Sequence, residues 1–160
     1  MSIGTQQLAS VRDARIEDRA AVLELLPSLA DFDLPSHRNP EHLWRGDAAL
    51  VEQHLAGESE STFLLIAETA SVPVAGLALT TLKPELLSGA PSAHLEALAV
   101  SQGQRGLGLG RQLLQATQLR AKVEGAQSLT LHVFASNTRA RSVYEAAGFE
   151  GELLRYTKIL

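Results

Sequence analysis

Cysteine is absent from the 160 residues of this chain. Its absence excludes disulfide bonds, thiolate metal sites and a cysteine nucleophile. Aromatic residues make up only 4% of the chain, so we expect a core built mainly from Leu, Val and Ala. No apolar run approaches the ~18 residues of a membrane-spanning helix, and charged residues from Arg12 onward stand where a signal peptide would be apolar. We expect one cytoplasmic domain over residues 1–160, with 1–8 a loose terminus.

Charge is distributed unevenly along the chain. The formal net charge is −4, but residues 1–104 hold 6 Lys+Arg against 14 Asp+Glu, whereas residues 105–160 hold 8 against 4. A basic C-terminal part suits a polyanionic ligand, and an acidic N-terminal part suits a cationic one. The alternative for any single charge is solvated surface. No basic run with interleaved aromatic residues indicates binding to nucleic acid.

Residues 95–114, LEALAVSQGQRGLGLGRQLL, have the pattern of a strand, a glycine loop and a helix. Glycines let backbone amides approach an anion, and the start of a helix adds the positive end of its dipole. We therefore expect a phosphate or pyrophosphate site, and the alternative is a glycine-rich turn without a ligand. The spacing is not that of a P-loop, because Arg111 follows Gly110 where that motif needs Lys. It is not that of a dinucleotide loop either, whose third glycine would fall at Arg111.

Hydrophobic periodicity predicts the element order β-α-α-β-β-β-α-β-α-β. Strands are expected at residues 9–14, 62–68, 72–82, 92–100, 128–134 and 152–160, and helices at residues 17–30, 47–56, 109–124 and 137–147. Asn137 or Ser136 should cap the last helix, and Gly148 should end it. Early hairpins and a late strand–helix–strand unit predict an α/β (α+β) protein with a mixed sheet and helices packed on it.

Two segments resemble the signatures of a known family. The R-x-x-G-x-G motif at 105–110 resembles the acyl-CoA pyrophosphate loop of the GNAT superfamily of N-acyltransferases, and NTRARSVYEAAGF at 137–149 resembles its second signature. The GNAT fold implies a single mixed, mostly antiparallel sheet of about six or seven strands with about four helices on its faces. The layout of residues 47–68 and the Leu95–Glu96 step are most similar to the spermidine/spermine N-acetyltransferase branch.

This resemblance implies direct transfer of an acetyl group from acetyl-CoA to a primary amine, without a metal and without a covalent enzyme intermediate. The acceptor would be a small-molecule amine, such as a small cationic amine, or an amine of a protein. No nucleic-acid or membrane partner is expected, and a homodimer is expected on family grounds. The alternative is a catalytically inactive acyl-CoA-binding or sensing module of the same fold.

The resemblance also assigns roles to residues. Loop amides would hold the pyrophosphate, Arg105 would add charge, and the strand end would pair with pantetheine. The implied cofactor-binding residues are Leu98, Ala99, Val100, Arg105, Gly106, Leu107, Gly108, Leu109, Gly110, Arg111, Asn137 and Tyr144. Tyr144 would be the general acid that protonates the CoA sulfur, and Glu96 would be the base that faces the amine through water.

The residues by themselves leave alternatives open. Glu96 is a lone carboxylate in an apolar strand and could equally be a rim residue that pairs with a cation. Tyr144 could be a core tyrosine, and Asn137 could act as a helix cap alone. His94 and His132 are alternative bases, because imidazole titrates near neutrality. Tyr156, the other tyrosine, is expected to be a packing residue.

Overall fold

The computed structural model describes residues 9–160, so the predicted loose end at residues 1–8 lies outside the described part of the chain. The described strands are β1 (Ser10–Asp13), β2 (Thr62–Glu68), β3 (Gly76–Pro84), β4 (Pro91–Val100) and β5 (Leu129–Leu131). The α-helices are α1 (Arg19–Leu25), α2 (Arg45–Leu55), α3 (Leu109–Val123) and α4 (Thr138–Ala146). The strands form one sheet in the order β1-β2-β3-β4-β5. The pairs β1–β2, β2–β3 and β3–β4 are antiparallel and the pair β4–β5 is parallel, which confirms the mixed sheet.

Two apolar cores lie on opposite faces of this sheet. Strand β2 supplies both, because successive side chains of a strand point to opposite faces. Leu64 and Ile66 pack with Val22 of α1 and Val51 of α2, whereas Phe63 and Leu65 belong to the core of α3. The core on the α3 side includes Leu109, Leu113 and Leu114. Burial on both faces explains the uninterrupted apolar run that predicted this strand.

Two predicted elements are shorter than the sequence pattern indicated. The helix expected at 17–30 is α-helical only over α1, and Leu26–Ala30 is a 3₁₀ segment. Pro27 explains this change, because proline has no backbone N–H and cannot donate the α-helical hydrogen bond to the Leu23 carbonyl oxygen. The strand expected from residue 72 begins at Gly76. Thr69 exchanges hydrogen bonds with Val72, which closes a turn and delays the start of the strand.

The predicted closing strand at residues 152–160 is wrong. These residues have no regular secondary structure, and every residue from 150 to 160 is exposed. The described sheet therefore has five strands instead of six or seven. A strand pattern gives a strand only where a neighbouring strand supplies N–H and C=O partners, and this segment pairs with no strand among residues 9–160. Tyr156, expected to pack, is 87% exposed.

None of the helices described over residues 9–160 is long and apolar enough to cross a membrane.

Candidate functional site

Strands β4 and β5 separate soon after they pair. Their parallel register runs from Ala93↔Leu129 to Leu95↔Leu131 and stops there, although β4 continues to Val100. A cleft of about 790 Å³ lies at this point, lined by residues of α2, the end of β4, the glycine loop, α3, α4 and the segment after β5. Beyond Leu95, no strand of the described part of the chain pairs with this edge of β4, which leaves room for a ligand to pair with its backbone groups.

The glycine loop forms one wall of this cleft. Gly106 and Gly108 adopt φ values of 81° and 78°, a left-handed conformation that residues with a side chain rarely adopt. A Cβ atom added to either glycine would meet nothing within 4 Å, so the space beside the backbone is open. Gly108 is the N-cap of α3, and the first amides of a helix have no acceptor within it. Such a loop can bind an anion through its backbone.

The arginines that line the cleft differ in whether they already form a hydrogen bond or an ion pair within the protein. Arg105 donates from Nε to the Val100 carbonyl oxygen at 3.3 Å, and its guanidinium lies 3.7 Å from an Asp31 carboxylate oxygen. It therefore ties the loop to the end of β4. Arg111 and Arg139 also line the cleft and are exposed, and neither has an ion pair within the described residues. Sequence reasoning missed Arg139, although it lies inside the second signature segment.

Glu96 occupies a β-bulge. Leu79 pairs with Ala97 and Thr80 pairs with Leu95, so Glu96 is the extra residue of β4 and has no partner on β3. A bulge turns a side chain away from the regular alternation, and this carboxylate lines the cleft. Its oxygens lie 3.2 Å from Lys83 Nζ and 4.0 Å from His94 Nε2. The pairing with a cation that the sequence left open is present, and the role of Glu96 as a base stays a prediction.

His94 and His132 lie beside this carboxylate. Their ring centroids are 4.7 Å apart in an edge arrangement. His94 is buried, and its Nδ1 lies 2.7 Å from Thr130 Oγ1. Burial, followed by the nearby Lys83 ammonium, lowers the pKa of His94 below its usual range, so the imidazole is neutral at pH 7. His132 is exposed and lines the cleft. Within residues 9–160, no group of three or more acidic or histidine side chains is arranged to hold a metal ion.

Helix α4 brings Tyr144 and Asn137 to the same cleft. Burial raises the pKa of Tyr144 to about 12, so its phenol keeps its proton at neutral pH. The ring packs against Phe149 with centroids 5.9 Å apart, and no described residue forms a hydrogen bond with its hydroxyl. The Asn137 Oδ1 atom accepts a hydrogen bond from the Ala140 amide at 3.2 Å, which confirms the predicted cap. That bond leaves the amide NH₂ group of Asn137 without a partner among residues 9–160.

Asp47 is a cleft residue that the sequence did not single out. It lies on α2 and lines the cleft together with Glu96. Burial, and after it the charge of Glu96, raises the pKa of Asp47 to about 7. Two carboxylates, 49 positions apart in the sequence, thus face one cavity. In the sequence, only the excess of acidic residues in 1–104 indicated a site for a cation, and it did not identify Asp47.

Comparisons with known proteins agree with this geometry. The sequence model of the acetyltransferase (GNAT) family matches residues 23–149. An aminoglycoside N(6′)-acetyltransferase type 1 of Salmonella typhimurium strain LT2 is 27% identical over 119 residues, which cover 72% of this chain and 77% of that protein. An amino-acid acetyltransferase of Ectopseudomonas mendocina is 29% identical over 148 residues, 92% of this chain but 29% of the relative.

Solved structures share the fold. The aminoglycoside acetyltransferase AAC(6′)-Iy, in complex with the bisubstrate analogue CoA-S-monomethyl-acetylneamine, superposes with a TM-score of 0.70 and 23% identity, covering 96% of this chain and 99% of that one. The relatives named here act on aminoglycosides and amino acids, so the likeness to the spermidine/spermine branch stays a prediction. The family match covers most of the chain, including both signature segments, and this chain belongs to the acetyltransferase (GNAT) family.

Proposed function

We propose that this protein transfers an acetyl group from acetyl-CoA directly to a primary amine of a small cationic acceptor. The observation that carries the proposal is one cleft in which the glycine loop at the start of α3, two carboxylates and a protonated tyrosine converge. Acetyl-CoA is the cofactor of the family, and it supplies a reactive thioester on a polyanionic carrier. Both Glu96 and Tyr144 line the cleft, which favours catalysis over the alternative of an inactive acyl-CoA-binding module.

The residues that would bind acetyl-CoA are identified by their positive charge or by free space beside their backbone. The amides at the start of α3 would hold the pyrophosphate, and Gly106 and Gly108 leave space for it. Arg111 and Arg139 are the cations in reach, since Arg105 is engaged by Val100 and Asp31. The free edge of β4 at Leu98–Val100 would pair with pantetheine, and the NH₂ group of Asn137 would donate to it from the other wall.

The residues for the acceptor are the carboxylates. Asp47 with a pKa of about 7 is half ionised at neutral pH, and an ammonium group bound beside it would favour its ionised form. Glu96 would accept the proton of the attacking amine through water, because an amine must be neutral to attack a thioester. Tyr144, held protonated by burial, would donate its proton to the departing thiolate.

The related aminoglycoside acetyltransferases support a cationic acceptor, since an aminoglycoside carries several amines. A polyamine acceptor of the spermidine/spermine type fits the same two carboxylates.

An amine panel tests the proposal. Release of free CoA is followed with spermidine, an aminoglycoside, a neutral monoamine and an anionic amino acid, at low and high salt. We expect acetylation of the polycations with a KM that rises with ionic strength, because salt screens the carboxylates. Acetylation of neutral and anionic amines equal to that of polycations, without a dependence on salt, would contradict the cationic acceptor.

The role of Asp47 has its own test. Asp47 ionises as pH rises through about 7, so the KM for a polycation should fall between pH 6 and pH 8 in the parent. In Asp47→Asn this part of the pH dependence should disappear, while acetyl-CoA binding is kept. Glu58→Gln is the matched control, because Glu58 is an exposed acid beyond α2 and does not line the cleft. A parent and an Asp47→Asn variant with the same KM profile would exclude Asp47 from the acceptor site.

A further inference from the structure

The chain has three lysines, and one of them lies beside the proposed acceptor site. Lys83 is in strand β3, and its Nζ atom lies 3.2 Å from the Oε1 atom of Glu96. Glu96 lines the cleft, whereas Lys83 does not. The ammonium group therefore reaches this carboxylate from outside the lining of the cleft. Lys122 and Lys158 lie elsewhere, on α3 and in the C-terminal segment.

The two carboxylates of the cleft differ in their partners. Glu96 has the Lys83 ammonium at Oε1, and His94 Nε2 lies 4.0 Å from its Oε2 atom. Burial, and after it the charge of Lys83, lowers the pKa of His94, so the imidazole is neutral at pH 7 and the positive charge on Glu96 comes from Lys83. Asp47 forms no ion pair among residues 9–160, and the charge that acts on it is that of Glu96. Within the described chain, one cleft carboxylate is thus already paired and the other is not.

We propose that Lys83 is an internal competitor of the acceptor: its ammonium occupies Glu96 in the resting protein, and a cationic acceptor displaces it on binding. The displacement rests on the cationic acceptor of the proposed function, and it makes Lys83 a residue that sets the affinity for that acceptor. The Lys83 side chain is 46% exposed and that of Glu96 is 19% exposed. The ammonium can therefore move into water while the carboxylate stays in the wall of the cleft.

The chemistry of the two groups favours exchange over a permanent ion pair. Lysine carries a compact charge on a flexible stem, and ion pairs that are exposed to water contribute little to stability. Glu96 is the proposed base, so the attacking amine must approach the same carboxylate. Two ammonium groups beside one carboxylate repel each other, and Lys83 therefore opposes the binding of the acceptor until it leaves Glu96.

NMR of the lysine side chains tests the displacement directly. Isotope labelling of lysine gives three side-chain signals, and Lys83→Arg identifies the signal of Lys83. The probe is spermidine, added in the presence of CoA, which lacks an acetyl group and permits no reaction. We expect the Lys83 signal to move toward its position in Glu96→Gln, where the ion pair is absent, while the signals of Lys122 and Lys158 stay. A Lys83 signal that stays in place when spermidine binds would overturn the displacement.

Calorimetry of spermidine binding under the same conditions measures the competition. Lys83→Met should lower the Kd of spermidine about two- to fivefold, the effect expected of an exposed ion pair, and Lys83→Arg should not lower it. Arg45→Met is the matched control, because Arg45 is an exposed cation of α2 that pairs with Glu41 and lies two positions from Asp47. Equal Kd values in the parent and Lys83→Met, or equal decreases in Lys83→Met and Arg45→Met, would overturn the proposal.

Failure of the displacement and failure of the proposed function give different results. If spermidine is acetylated but neither moves the Lys83 signal nor binds Lys83→Met more tightly, the competitor role of Lys83 is wrong and the acetyl transfer stands. If spermidine neither binds nor is acetylated, the cationic acceptor is wrong, and the competitor role fails with it.

Discussion

The described chain divides into two regions that differ in the burial of their side chains. Every fully buried residue lies between Asp18 and Ala121, whereas from Lys122 to Leu160 no residue is fully buried. Yet the second region supplies Tyr144, Asn137 and His132 to the cleft. Buried apolar surface is therefore concentrated in the first region, whereas the second region supplies cleft side chains from elements that are less buried. Regions of low local stability are commonly those that bind and move with ligands.

The largest expected effect is on turnover, and it comes from a substitution in the second region that should leave folding unchanged. Tyr144→Phe removes the proposed proton donor and keeps the ring that packs on Phe149. General acid catalysis contributes ~10²–10⁴ in rate, about 3–5 kcal/mol, so we expect turnover to fall by that factor. The free energy of unfolding and the affinity for acetyl-CoA should change little. Turnover within threefold of the parent, with chemistry rate-limiting, would exclude this role.

A pair of truncations compares the two regions directly. Leu113 is fully buried in α3, and Leu113→Ala should lower the free energy of unfolding by ~2–5 kcal/mol through lost contacts and a cavity. Val133, 37% exposed after β5, should cost less than ~1 kcal/mol when changed to Ala. Denaturant unfolding of both variants measures the difference. Equal losses of free energy of unfolding would mean that Val133 contributes to folding as much as a buried core residue does.

Binding of acetyl-CoA should reduce the difference in local stability between the two regions. Acetyl-CoA at 100 times its Kd should raise the free energy of unfolding by ~2.7 kcal/mol and slow amide exchange in α4. Gly110→Val should abolish both effects, because Gly110 lines the cleft and its backbone tolerates a side chain. Gly46→Val is the matched control, since Gly46 is also helical with open space around it but lies outside the cleft. Full protection of Gly110→Val would mean that acetyl-CoA binds elsewhere.

A further effect concerns an ion pair at the start of the first region. Arg12 pairs with Asp18 at 2.7 and 2.9 Å and with Glu68 at 2.7 Å. Asp18→Asn should cost ~1–3 kcal/mol by breaking a partly buried charged hydrogen bond. The Arg12 hydrogen bond holds the pKa of Asp18 below its usual value, so this stability is present above about pH 4 and is lost as pH falls through the folded value. Unfolding measured from pH 7 to pH 3 checks whether the difference in free energy of unfolding between the parent and Asp18→Asn becomes smaller in acid. A difference that stays constant would contradict the ion pair as its cause.

Local pattern predicted much of this molecule and failed at its C-terminal end. The β2 bounds and the Asn137 cap follow from sequence neighbours and agree with the structure. The end of α1 depends on Pro27, a local signal that the periodicity masked. The strand expected at 152–160 is wrong because its apolar alternation is a local pattern, whereas strand formation depends on a partner strand that lies elsewhere in the sequence.

By itself the sequence determined the mixed sheet, the glycine loop before α3 and the tyrosine of α4, because periodicity, glycine spacing and capping act over a few residues. The tertiary structure alone decided that Glu96 stands at a bulge, that Asp47 meets it across 49 positions and that Arg105 is engaged by Val100 and Asp31. Strand register and the approach of distant elements settle these points, since both depend on how whole faces pack.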